Sequence, residues 1–131
     1  MPVRERWKVG IPDGYRIFEK EFSIAGAHHH KKDFFKVVKK GDVEFRMQTE
    51  PQNKHDPNAI AIFGARKSFF GQIDKKIGYI PAEIASQLAD AGVSDQIILR
   101  PKALYISDDS FIDMKFDLLG PKESYKQYSE V

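Results

Sequence analysis

The sequence predicts a mainly β fold with two short helices, a six-stranded small barrel of the OB-like or SH3-like kind. Three observations lead there. Short segments of alternating apolar and polar residues recur along the chain, only one stretch combines helical spacing with helix-end signals, and the composition suits a single core. At 131 residues, 41% of them hydrophobic and including 10 Phe and 5 Tyr, the chain is long enough for one domain without disulfide or metal staples.

The elements follow in order. Residues 1–15, with Gly10 and Pro12-Asp13-Gly14, read as an irregular lead-in. Arg16–Ala27 begins as an alternating run and reads as a strand ending near Gly26. Asp33–Lys40 places Phe34, Val37 and Val38 at helical spacing, enough for a short helix. Val43–Thr49 sets Val43, Phe45, Met47 and Thr49 against Glu44, Arg46 and Gln48, the pattern of a half-buried strand. Ala59–Phe63 is a short apolar run suited to a central strand, and Lys76–Ile80 reads as another. Pro81–Ala91 opens with proline, carries Glu83 in its first turn, and meets Gly92 just past its end. Its stripe is Ile84, Leu88 and Ala91. Gln96–Leu104 and Phe111–Leu119 complete the strands, joined by a turn over residues 107–110. One domain over residues 16–121 is expected, followed by a flexible tail over 122–131.

With no cysteine, thiolate nucleophiles, disulfides and cysteine-based metal sites are excluded, which fits a reducing compartment. The first residues lack the apolar segment of a signal peptide, and no apolar run approaches the ~20 residues of a membrane span. A cytoplasmic, bacterial protein with no membrane association is the expectation. The net charge of +2 is small, but its distribution is uneven. Lys31, Lys32, Lys36, Lys39 and Lys40 face a single Asp33 just after His28-His29-His30, and Arg66, Lys67, Lys75 and Lys76 form a second basic group. Acid collects at Asp108, Asp109, Asp113 and Asp117, read as surface carboxylates. Such segregation gives a positive face suited to a polyanion, or simply a solvated surface.

Two segments carry a family pattern: Glu50–Ile60, EPQNKHDPNAI, and Ile77–Ala85, IGYIPAEIA. Gly78 within a strand marks a bulge or a close backbone approach. This order resembles the HIRAN domain, over about Phe22 to Leu119. The resemblance implies a small β-barrel related to OB folds, often placed beside helicase-like motors. It also implies a module that binds single-stranded DNA and captures free 3′ ends, in DNA repair, replication or processing. A stand-alone chain of this kind is expected, because no phosphate-binding G-x-x-x-x-G-K-[ST] loop is present, and a helicase or nuclease is the expected partner protein.

The resemblance implies that Asn53 and Asp56 form the loop, with Asp56 accepting a hydrogen bond from the 3′-hydroxyl, and that His55, His28, His29 and Tyr79 line the base. Lys31 and Lys32 would meet the phosphates. Histidine stands at two places where strong end binders carry tyrosine; imidazole still stacks on a base and bonds phosphate, with a smaller π-face and a pH-dependent charge. Asn53 and Asp56 suit a plain turn equally well, Asn58 suits a loop tie, and Tyr79 suits the core. No cofactor is expected. The rival reading is a metal-dependent phosphoesterase using His28, His29, His55 and Asp56, a donor set that suits zinc or nickel. Against it, three successive histidines on a strand would alternate faces. A protein-interaction adaptor without DNA binding is the third reading.

Overall fold

A computed structural model describes residues 2–38 and 42–131; Lys39 and Lys40, at the end of the first expected helix, lie outside the described residues. The fold is mainly β. Among the described residues it has seven strands: β1 (Val3–Arg6), β2 (Tyr15–Ser23), β3 (Glu44–Thr49), β4 (Ile60–Ser68), β5 (Gly71–Tyr79), β6 (Ile98–Ile106) and β7 (Ile112–Pro121). Three helices accompany them: α1 (Lys31–Val38), α2 (Ala82–Ala91) and α3 (Tyr125–Ser129). The strands form a four-stranded sheet in the order β1-β6-β7-β2 and a three-stranded sheet in the order β3-β4-β5. Every pairing is antiparallel. The two sheets share one core without closing into a barrel, in keeping with the small OB-like fold expected.

The apolar alternation anticipated for β7 holds: Ile112, Met114, Phe116 and Leu118 are buried, with Phe116 edge-on to Phe45 at 5.0 Å between ring centres. Helix α2 buries Ile84, Ala85, Leu88 and Ala91. Gly92 ends it at φ 71°, where its N–H reaches the last carbonyls.

Four expectations are corrected. The lead-in contains β1, whose Val3–Arg6 pairs with Ala103–Ile106 of β6; its charged VRER sequence carries no apolar rhythm because it is a solvated edge. The tail from Lys122 is docked by α3. Tyr128 is buried, stacks on Phe18 at 5.0 Å and donates its hydroxyl to Glu19 at 2.5 Å. Burial, reinforced by Glu19, pushes that hydroxyl well above the ordinary tyrosine range. Third, Asp117 is no surface acid. It is 1% exposed, accepts the Glu21 N–H at 2.8 Å and pairs with Arg100 at 3.2 Å. It pins the irregular stretch of β2 where Glu21 takes φ 49°. Finally, β4 and β5 run on beyond the short strands expected and meet at a tip holding Phe69 and Phe70.

Candidate nucleic-acid interface

The loop between β3 and β4 is built by its own polar side chains. Asn53 Oδ1 accepts the backbone N–H of His55 at 2.9 Å and of Asp56 at 3.0 Å, and Asp56 Oδ1 accepts that of Asn58 at 2.9 Å. These are the self-bonded turns that Asn and Asp favour, so the shaping role is real for both. Asn53 is also spent on its amide, which donates to Glu50 Oε1 at 3.0 Å. Asp56 is half-buried, and among the described residues its Oδ2 takes no hydrogen bond. Among the described residues Asn58 bonds only through its backbone, and His55 is exposed.

At the mouth of this loop sits a compact cluster centred on Glu50, a residue to which the sequence reading gave no role. Glu50 receives Lys76 Nζ at 2.5 Å, Tyr79 Oη at 2.7 Å and Asn53 Nδ2. Lys76 Nζ also donates to Tyr79 Oη at 3.1 Å. Burial works to raise the Glu50 carboxyl, but the donors Lys76, Tyr79 and Asn53 outweigh it and hold it at about 2. The same bonds, Glu50 first, raise the Lys76 ammonium. Strand register was the signal available: Thr49 pairs with Ile60 and Ala61 with Tyr79, so Glu50 and Tyr79 must share one end of the sheet. Tyr79 is neither core nor free; it is half-buried with its hydroxyl fixed by ions.

A second segment reaches the cluster through an isolated bridge. Ala25 and Tyr79 exchange both backbone hydrogen bonds at 2.8 Å, just beyond the end of β2. Gly78 permits this: a Cβ there would fall 2.6 Å from the Ile24 side chain and 2.7 Å from the Ala25 carbonyl. Gly78 also flanks the register shift between Ile62 and Phe63, so it marks close approach and bulge together. After the bridge Gly26 turns the chain at φ 71°, and Ala27–His30 form a single 3₁₀ turn leading into α1. The three histidines therefore fan around a turn and do not alternate across a strand. His28 and His29 lie ring against ring at 3.9 Å, both exposed. His30 lies 6.4 Å from the Tyr79 ring. Burial, then the Lys76 charge, lowers the His30 pKa.

A cleft of about 520 Å³ opens beside this turn, lined by Gly26, His28, Lys31, Asp109, Phe111 and Asp113. Phe111, which was not among the expected site residues, is 61% exposed there, and only that exposure marks it out. Asp113 is occupied by the Ser23 hydroxyl at 2.8 Å and by Lys115 at 3.5 Å. Lys32 is not brought to this cleft; it lines a separate groove with Phe35, Arg66 and Ile106. Among the described residues no three His, Asp or Glu side chains converge to hold a metal ion, so the zinc set of His28, His55 and Asp56 is not assembled. No described helix is long and apolar enough to cross a membrane.

The arrangement thus offers exposed rings, fixed polar groups and cations on the two segments joined by the Ala25–Tyr79 bridge, groups of the kind that suit a flexible polyanion with bases to stack. No curated protein matches the chain. Among solved structures it is similar to the HIRAN domain of human HLTF, at 18% identity and a TM-score of 0.48, over 92% of this chain and 91% of that one. A model of the HIRAN domain matches residues 17–116, most of the sequence, and the chain belongs to the HIRAN domain family.

Proposed function

We propose that this domain binds single-stranded DNA and captures its free 3′-hydroxyl end, serving DNA repair or replication beside a helicase or nuclease. Family membership fits a nucleic-acid-binding module and not an enzyme. The observation that carries the finer reading is the division of labour within Asp56: Oδ1 shapes the turn while Oδ2 is left to accept a hydroxyl. The exposed His55, His28 and His29 rings and Phe111 supply stacking surfaces, and Lys31 supplies charge for the backbone. Tyr79, held by Glu50 and Lys76, supplies a rigid ring edge.

A charged acceptor meeting a neutral donor contributes about 1.5–3 kcal/mol. Oligonucleotides ending in 3′-phosphate should therefore bind about ten-fold or more weakly than those ending in 3′-hydroxyl. Asp56→Asn keeps an oxygen for the Asn58 N–H and removes the charge, and it should erase most of that preference. A wild-type protein indifferent to the terminus, or an Asp56→Asn variant that keeps the full preference, would sink the end-capture reading.

A further inference from the structure

The two most exposed large apolar residues of the described chain lie far from the interface above. Phe69 and Phe70 are each 95% exposed at the tip of the β4–β5 hairpin, their rings edge-to-face at 5.1 Å. The two phenylalanines occupy the turn itself, between Ser68 and its partner Gly71. Positions of this kind ordinarily go to Asn, Asp or Gly, whose small polar groups suit both the turn and water. Here Gly71 takes up the backbone requirement at φ 120°, and the Ser68 hydroxyl closes the turn onto the Gly71 carbonyl at 2.7 Å. Neither ring is needed to hold the hairpin together. The tip thus leaves both aromatic rings open to solvent.

Charge indicates which partner. Lys67, exposed, and Arg66 immediately precede the tip, and no carboxylate lies within residues 66–73. By strand register Lys67, Phe63, Lys76 and Arg46 share the open face of the three-stranded sheet with the carboxylates of Glu44 and Asp74. Arg46 lies over the Phe63 ring at 4.1 Å and pairs with Asp74 at 3.1 Å. Rings and charged side chains therefore recur along one face, from the Glu50–Lys76–Tyr79 cluster at one end of β5 to the phenylalanines at the other, with Arg46 and Lys76 in ion pairs and Lys67 the exposed cation next to the tip. Eight residue steps at about 3.3 Å each separate Tyr79 from Gly71, a path of ~26 Å. Aromatic rings interleaved with cations suit nucleic acid, whose bases stack on the rings while its phosphates meet the cations.

The geometry points to the Phe69–Phe70 tip as a second stacking contact, for unpaired bases of a strand that runs from the interface along this face. The inference rests on the single-strand reading of the interface and extends its footprint. The test uses oligothymidylates of about 4 and about 16 nucleotides, the two ends of the footprint range for OB-type folds, with the full chain and its Phe69→Ser/Phe70→Ser variant. Full exposure of both rings means that the variant should keep its fold, which its unchanged melting temperature would verify. It should lose about ten-fold on the long strand and less than two-fold on the short one. Unchanged affinity for the long strand, or an equal loss on both, overturns the tip contact. If the unmodified chain binds the short strand with a 3′-hydroxyl preference while the variant matches it on the long strand, the tip fails and the interface stands. If the unmodified chain binds neither strand, both fail. A variant loss confined to the long strand, in a chain indifferent to the 3′ end, keeps the tip and removes end capture.

Discussion

Replacing Glu50 with Gln removes one charge while keeping the side chain's size and one acceptor oxygen. Burial opposes ionisation of the wild-type carboxyl, and the donors from Lys76, Tyr79 and Asn53 overcome that and hold it at about 2, against an ordinary 4.5. At ~1.36 kcal/mol per pKa unit this drop amounts to about 3 kcal/mol before screening. Glu50 and Lys76 side chains are 17% and 31% exposed, so solvent reduces the expected contribution to about 1–2 kcal/mol. The sign follows from the direction of the shift. A carboxyl held below its unfolded value contributes fully above pH 4.5 and loses that contribution as pH falls from 4.5 toward about 2. Urea unfolding at neutral pH should therefore find Glu50→Gln less stable by about 1–2 kcal/mol, and the gap should narrow steadily below pH 4.5. The same substitution frees Lys76 for phosphate, so the log–log salt slope of single-strand binding should steepen by about 0.7. Stability and salt-sensitive affinity thus move in opposite directions. A stability gap that stays constant down to pH 2 would show that the carboxylate contributes through shape alone and would refute the argument.

Two further outcomes follow from the structure. Asp117→Ala leaves Arg100 half-buried without its partner and the Glu21 N–H without its acceptor, and should cost about 3–5 kcal/mol in thermal or urea unfolding, with Asp117→Asn costing less. Lys31→Ala should lower the salt slope of single-strand binding by about 0.7, while Lys32→Ala, in the separate groove, should leave it nearly unchanged; equal effects would place the strand across both grooves.

Much of the fold was legible because burial imposes period. Val43–Thr49 and the first half of β7, Ile112–Phe116, alternate because one face of each meets the core, and α2 carries its Ile84–Leu88–Ala91 stripe between a proline and a glycine. What escaped was held by other forces. β1 and the outer halves of β4 and β5 are solvated ladders of backbone hydrogen bonds, which leave no apolar rhythm to read. Asp117 looked like a member of an acidic surface because its partners, Arg100 and Glu21, are remote in sequence. The interface was half legible: the Asn53–Asp56 turn advertises itself locally, and Gly78 did mark a close approach. Glu50 and Lys76 acquire meaning only when β3 and β5 are placed across β4.

The two-bond bridge between Ala25 and Tyr79 joins the histidine turn, which extends from the four-stranded sheet, to the cluster at the end of the three-stranded one. Neither sheet contains the interface alone. A slide of one sheet over the other that broke these two hydrogen bonds would separate the His28–His30 turn from Tyr79 while leaving each sheet's own ladder unbroken. The exchange rates of the Ala25 and Tyr79 amide protons therefore serve as a gauge of that sliding. Ligand that spans both halves should slow them more than it slows the ladder amides of β4 or β7.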